Sequence, residues 1–244
     1  MDYRHFLNLA AQERDKNIYR VMPFLRLMEL IRDRRNTLTK PCLWNDPFEN
    51  FILQGKGLLR NGQIVRYGMR DSLYGQCWTL RRESDAMWRI YSNDSEGVKI
   101  RTTIRKLYSS LYEAANPSKR DVSCFIGKVV YLGREAIRSY LTRPINLESS
   151  GVGVVETLLV KRIAFSHEKE VRLIYWADEN NATADLFRYR IDPYDLIEEV
   201  VFDSRLDVNS YRRHKEELRA LRYEGRIVQS GLYKAPKNIF TIIS

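Results

Sequence analysis

The chain has 244 residues, 44% hydrophobic and 30% charged, with 41 Lys and Arg against 31 Asp and Glu and a formal charge of +10. No run of about 18 apolar residues occurs, and Met1-Asp2-Tyr3-Arg4-His5 lacks the apolar core of a signal peptide, so the expectation is a soluble, cytoplasmic protein without membrane partners. The length supports one large core, expected as a single domain over residues 1–244, and the positive excess favours anionic partners such as nucleic acid or a phosphorylated ligand. Cys42, Cys77 and Cys124 are odd in number and widely spaced, which reads as reduced core residues rather than a disulfide framework or zinc site; no metal is expected.

In chain order, residues 18–21 read as a short strand. Phe24, Leu27, Met28 and Ile31 then recur at helical spacing behind Pro23, placed for a first turn. Asn45-Asp46-Pro47-Phe48 is turn chemistry and predicts a rigid loop. Residues 73–80 form a second strand, Ser84-Asp85 cap a short helix bearing Met87, Trp88 and Tyr91, and Gly97 ends it before an extended 98–102. A helix over 103–115 carries Ile104, Leu107, Tyr108, Leu111 and Tyr112 on one stripe and stops at Asn116-Pro117. A strand at 126–131, helices at 134–141 and 154–162, and strands at 186–191 and 197–202 follow. A basic helix near 210–223 and terminal strands around Ile227 and Ile239 complete the chain. Without regular βα alternation, this predicts an α+β fold with a mixed or antiparallel sheet and helices mainly in the first two-thirds.

The richest segment is Phe165-Ser166-His167-Glu168-Lys169-Glu170-Val171-Arg172, where two carboxylates at i and i+2 enter an apolar strand. In an extended backbone they share one face, while His167 points the other way and is incidental. Such a pair can stabilise an oxocarbenium-like centre and steer or deprotonate a nucleophile. The plainer alternative is a solvated turn before a strand. No Gly-x-Gly-x-x-Gly, P-loop or nucleophile-elbow element is present, which disfavours Rossmann dinucleotide binding, P-loop chemistry and serine hydrolysis. Arg212, Arg213, Lys215 and Arg219 cluster late in the chain as nucleic-acid-binding candidates; Arg32, Arg34 and Arg35 fit ordinary macrodipole chemistry at a helix end.

Tyr19-Arg20 ending the first strand, Thr79 in a later strand and Glu168-x-Glu170 opening a late one stand in an order that resembles the Arg, Ser/Thr, Glu-x-Glu layout of the ADP-ribosyltransferase superfamily. The resemblance implies an ADP-ribosyltransferase-like fold with NAD as substrate. It also implies Tyr19 and Arg20 at the cofactor, with Arg20 on its diphosphate, Thr79 shaping the nicotinamide pocket, Glu170 holding the ribose and its developing cation, and Glu168 on the acceptor side. The Ser-Thr-Ser pattern of arginine-modifying toxins is here Trp78-Thr79-Leu80, and Arg172 stands where toxin members usually have an aliphatic residue, close enough to lock Glu170 in a structural pair. Most of residues 18–203 also resembles a family of uncharacterised bacterial domains marked by Asn-Asp-Pro-Phe-Glu (45–49), Met-Trp-x-x-Tyr (87–91) with Gly97-Val98, and Glu-x-Glu-x-Arg (168–172).

Within that frame Trp88 and Tyr91 offer flat faces to nicotinamide or a base, and Asn45, Asp46 and Glu49 offer a polar rim to ribose. Each has a plainer explanation: core packing for the aromatics, loop architecture for the rim and a strand-end salt bridge for Arg20. The expectation is an NAD-dependent ADP-ribosyltransferase or NAD glycohydrolase, with nucleic acid as acceptor. A bacterial toxin or phage-defence role, with an antitoxin or activator partner, would suit it. The alternative is a non-catalytic nucleic-acid-binding or interaction module with structural glutamates. Glu170→Gln is expected to cause a large fall in turnover with little change in melting temperature.

Overall fold

The structure, a computed structural model, describes residues 5–44, 55–58, 62–66, 71–115, 124–141, 151–177 and 184–235. Asn45 to Glu49, Asn116-Pro117 and the strand expected near Ile239 lie outside them. The chain runs β1 (Phe6–Leu7), β2 (Asn17–Pro23), α1 (Phe24–Asp33), β3 (Arg35–Thr39), β4 (Lys56–Leu58), β5 (Ile64–Arg66), β6 (Leu73–Thr79), α2 (Asp85–Tyr91), β7 (Gly97–Thr103) and α3 (Ile104–Ala115). There follow β8 (Cys124–Lys128), β9 (Val130–Leu132), α4 (Arg134–Leu141), α5 (Val152–Thr157), β10 (Val160–Arg162), β11 (Glu170–Trp176), β12 (Leu186–Arg190), α6 (Pro193–Leu196), β13 (Glu199–Phe202), α7 (Val208–Ala220) and β14 (Arg226–Gln229). The fold is α+β around a mixed sheet, as the pattern of elements predicts.

The main path of that sheet is β1-β8-β11-β6-β2-β7-β13-β14, parallel at its two ends (β1 with β8, β13 with β14) and antiparallel between. One edge of β6 is shared. β2 meets it at Thr79 and β3 meets it at Gly75, with β12 paired outside β3, so the sheet forks there. Where the main-chain ladder opens, buried amides take its place: Asn36 Nδ2 donates to Tyr189 Oη at 2.8 Å and Gln76 Nε2 to Asn36 Oδ1 at 2.7 Å and Thr37 O at 2.8 Å.

Side-chain alternation sorts the two faces. On one, Ile18, Met22, Ile100, Trp78 and Leu173 form the main core with the apolar stripes of α1 (Phe24, Leu27, Met28, Ile31) and α3 (Ile104, Leu107, Tyr108, Leu111). On the other, Trp88 of α2 covers Val21 and Val201 near one end. Val154 and Val155 of α5 cover Leu73, Phe125 and Ile174 near the other. Between these two apolar patches the same face carries Cys77, Thr79, Glu170 and Arg172, matched in register as Thr79 with Glu170 and Cys77 with Arg172.

Four expectations change. The helix expected at 154–162 ends at Thr157, and Val160–Arg162 instead pairs in parallel with Val130–Leu132; the apolar run Leu158-Leu159-Val160 fits either period, and a partner strand decides it. The strand expected at 126–131 divides at Val129, whose N–H goes to Glu170 O at 3.0 Å, so β8 stays in the sheet while β9 leaves it for β10. Pro23 is the N-cap of α1 rather than its first helical residue, and Gly97 opens β7 rather than stopping α2, which ends at Tyr91. Gly97 is constrained by packing. Its N–H donates to Ser92 Oγ at 2.9 Å, that hydroxyl donates to Asp203 Oδ2 at 2.9 Å, and a Cβ on residue 97 would lie 2.4 Å from Ser92 Cβ. Gly97→Ala is therefore expected to lower stability by about 1–3 kcal/mol in chemical denaturation; an unchanged midpoint would show that the return from α2 to β7 can widen freely.

Candidate active site

Tyr19, Thr79 and Glu170 stand opposite one another on β2, β6 and β11, so the residues singled out from three distant parts of the sequence form one row across neighbouring strands. Two inter-strand steps separate the ends of the row by about 10 Å. Arg20 is adjacent, at the fork. It is half-buried; its partial loss of solvent lowers its pKa, and Cys77, Tyr189 and Tyr91 are the groups that act on it electrostatically. Among the described residues no carboxylate pairs with it.

The two glutamates meet by a route that the alternation rule does not describe. Glu168 is the last residue of a 3-10 helix (Ile163–Glu168), Lys169 turns through φ 46°, and Glu170 begins β11. The extended Glu168-Lys169-Glu170 is thus corrected to a tight left-handed turn that returns both carboxylates to the same side. Thr79 fastens the turn. Its hydroxyl donates to Glu168 O and accepts the Arg81 N–H at 2.9 Å, while Leu80 N–H donates to Lys169 O at 3.0 Å.

Lys161 of β10 bridges the pair, with Nζ 2.5 Å from Glu168 Oε2 and 2.8 Å from Glu170 Oε1. Arg172 grips the other oxygen, donating from Nε to Glu170 Oε2 at 2.7 Å and from a terminal nitrogen to Leu158 O at 2.6 Å, and its guanidinium lies 4.6 Å from the centre of the Trp44 ring. Tyr131 Oη accepts the Glu170 N–H at 2.8 Å. Lys161, Glu168, Glu170 and Arg172 are each no more than 6% exposed, so these charges interact with little screening. Burial, the hydrogen bond to Glu170 and its charge raise Glu168 to about 8, against the pull of Lys161. Glu170 is buried too, which would raise it, but Arg172, the Glu168 hydrogen bond and Lys161 prevail and hold it at about 2. Near neutral pH the pair therefore holds one proton and one negative charge, the division that separates an acid from a base in paired carboxylates. Glu170→Gln removes the common partner of Lys161 and Arg172, so the expectation of an unchanged melting temperature is corrected to a fall in stability.

Trp88 and Tyr91, three apart on α2, differ in exposure. Trp88 is 1% exposed, donates from Nε1 to Glu83 Oε1 at 2.5 Å and has the Lys99 ammonium 5.4 Å from its ring centre. Its expected stacking on a ligand is thus corrected: its ring is core. Tyr91 remains 42% exposed, while partial burial, together with the charges of Glu168, Cys77 and Glu170, raises its pKa. Tyr19 is buried with Lys99 5.6 Å from its ring centre, so it braces β2. Of the cysteines expected in the core, Cys124 is buried, Cys77 half-buried and Cys42 exposed; none of the three forms a disulfide.

The late arginine cluster lies elsewhere. His214 packs on Phe24 with ring centres 4.0 Å apart, and Leu218 is buried in the main core, which seats α7 on the sheet face opposite Glu170. Arg213 lies 4.0 Å from Glu217, Arg219 donates to Tyr223 O, and Arg212 and Arg213 are exposed with Lys215 half-buried. The residues that sequence reasoning missed are Lys161 and Tyr131. Among the described residues no group of three or more His, Cys, Asp or Glu side chains is disposed to hold a metal ion, and no helix is long and apolar enough to cross a membrane.

A family model described as a protein of unknown function, DUF2971, matches residues 87–173, from Met87 in α2 to Leu173 in β11. No curated protein matches the chain. Among solved structures the chain is similar to Thermus sp. 2.9 DarT in complex with ADP-ribosylated ssDNA, at 13% identity and a TM-score of 0.42 over 88% of this chain and 94% of that one. It is similar also to Thermus sp. 2.9 DarT in complex with NAD+ and with carba-NAD+, each at 12% identity and a TM-score of 0.39 over 88% of this chain and 96% of that one.

Two measurements follow from the charge network. Glu170, held at about 2 against an ordinary 4.5, adds stability as pH rises through that interval, and Glu168, held at about 8, withdraws it as pH rises from 4.5 to 8. The contribution of the pair thus peaks near pH 4.5, and Glu168→Gln is expected to flatten the decline between pH 5 and 8 in denaturation experiments; an equally steep decline in the variant would remove Glu168 as its source. Lys161→Met leaves both carboxylates without their shared cation and is expected to cost about 3–5 kcal/mol, against a null result if the lysine were merely tolerated there.

Proposed function

We propose that the chain is an NAD-dependent ADP-ribosyltransferase, acting as an NAD glycohydrolase where water is the acceptor. The observation that carries the reading is the row Tyr19, Thr79, Glu170 across adjacent strands with the half-buried Arg20 beside it at the fork. Arg20 has no acidic partner among the described residues, and a ligand diphosphate would supply the anion that its planar fork suits. In the proposed reaction Arg20 anchors the diphosphate, the Tyr91 ring lies against nicotinamide, and Thr79 holds the glutamate turn in place. The glycosidic bond breaks with its electron pair going to the nicotinamide nitrogen, which leaves neutral as positive charge develops on the ribosyl carbon. Glu170 stabilises that charge, an interaction stronger in the transition state than in the ground state. The acceptor lone pair closes the new bond, and the acceptor proton passes to Glu168 in its ionised form, which its pKa of about 8 makes accessible near neutrality.

An intracellular toxin or phage-defence role, with an antitoxin or activator partner, would follow from NAD consumption and belongs to this proposal. A second reading, a nucleic-acid-binding or interaction module with structural glutamates, is favoured by the closed pairing of Glu170 with Lys161 and Arg172. Arg20→Gln separates the two. If the arginine is held for a ligand, the variant is expected to melt at the same or a higher temperature while NAD affinity, measured by calorimetry, falls roughly tenfold or more for the lost charge-assisted contacts. A lower melting temperature with unaltered NAD affinity, or no NAD binding by the parent, supports the second reading.

A further inference from the structure

The ribbon formed by β3 and β12 carries charge that the fold itself does not use. Its register sets Arg35 opposite Arg190 and Thr37 opposite Arg188, and all three arginines are exposed. Among the described residues none of the three has a carboxylate partner. Like charges placed directly opposite on antiparallel strands destabilise the pair. Charge on an edge strand also discourages pairing with other chains, yet that purpose is met by either sign and does not call for two arginines face to face.

The direction of these side chains follows from the register. Thr39 stands opposite Gly75, so Arg35, Thr37 and Thr39 share the face that carries Cys77, Thr79 and Glu170. Trp44 confirms the side: its Nε1 donates to Thr39 Oγ1 at 3.2 Å, its ring lies over Gly75, and Arg172 packs on it. The alternate residues Asn36, Leu38 and Tyr189 turn to the main core, where Asn36 reaches Tyr189 and Gln76. Tyr189 lies within electrostatic reach of Arg20 and is flanked in sequence by Arg188 and Arg190. The ribbon is therefore the outer wall of the fork that holds Arg20, with its arginine row on the glutamate side of the sheet.

We propose that this row, Arg35, Arg188 and Arg190, is a docking track for the phosphodiester backbone of a single-stranded nucleic acid; its role as the acceptor rests on the reading above, whereas binding itself does not. Guanidinium groups suit phosphate oxygens bidentately. Arg188 and Arg190, two residues apart on one strand, repeat at about 6.7 Å, close to the separation of neighbouring phosphates in an extended single strand. Thr37 and Thr39 add hydroxyl donors along the same line. A single strand leaves its bases free to turn along the same sheet face toward Thr79 and Glu170; a duplex would first have to release the base.

The test uses the full chain and fluorescence anisotropy with labelled single-stranded DNA, single-stranded RNA and duplex DNA over a salt series. The triple variant Arg35→Gln, Arg188→Gln, Arg190→Gln is compared with Arg212→Gln, Arg213→Gln on α7. The track predicts that the triple variant melts no lower than the parent and binds single strands roughly tenfold or more weakly. Loss of three phosphate contacts should also reduce the slope of log affinity against log salt by about 2. The α7 variant should bind like the parent. Parent-like binding by the triple variant, loss in the α7 variant instead, tighter binding of duplex than of single strands, or no binding by the parent would overturn the proposal. Strand binding that depends on the ribbon, in a protein that never releases nicotinamide, would leave the track standing and remove the enzyme reading.

Discussion

The buried array of Lys161, Glu168, Glu170 and Arg172 holds four charged groups at no more than 6% exposure where three segments of the chain meet. Lysine and arginine in such a place would be costly alone, as would the carboxylates; together they are paired and hydrogen-bonded, the condition under which buried charge is tolerated. The array joins β10, the left-handed turn at Lys169 and the start of β11, while Tyr131 and Thr79 secure the backbone on either side. Removing one member leaves the others uncompensated, so the array is stable only as a unit. The same pairing splits the carboxylate pKa values, leaving one group ionised and the other able to exchange a proton near neutrality.

The fork in the sheet supplies the complement. β6 satisfies two strands along one edge, β2 near its end and β3 at Gly75, and the half-buried Arg20 follows Tyr19 where the ladder with β6 stops. Asn36 and Gln76 close the floor of the fork with side-chain amides, which lets the backbone diverge without leaving buried polar groups unpaired.

Much of this was legible in the sequence where local spacing decides the structure. The stripe Phe24, Leu27, Met28, Ile31 is the buried face of α1, residues 134–141 form the helix that their pattern predicts, and residues 73–79 pair with β11 as strands. The juxtaposition of Glu168 and Glu170 was legible as well, though the turn that produces it was not, because no local signal marks Lys169 as left-handed. Lys161 and Tyr131 could not be read, since they meet through a parallel pairing of β9 with β10, a contact across the chain that leaves no period in either segment. Trp88 and Tyr91, three apart on a helix of two turns, were equally good aromatics on paper; only the packing of Val21 and Val201 against Trp88 shows which of them faces inward.

The measurement closest to the central claim is nicotinamide release from NAD by the purified chain, alone and with single-stranded DNA, RNA or cell lysate, alongside a folded Glu170→Gln control. The account predicts release that requires Glu170 and is accelerated by one of the additives, which would identify the acceptor. No release under any of these conditions, from a protein that also fails to bind NAD, would contradict it and leave the glutamates as a structural charge array.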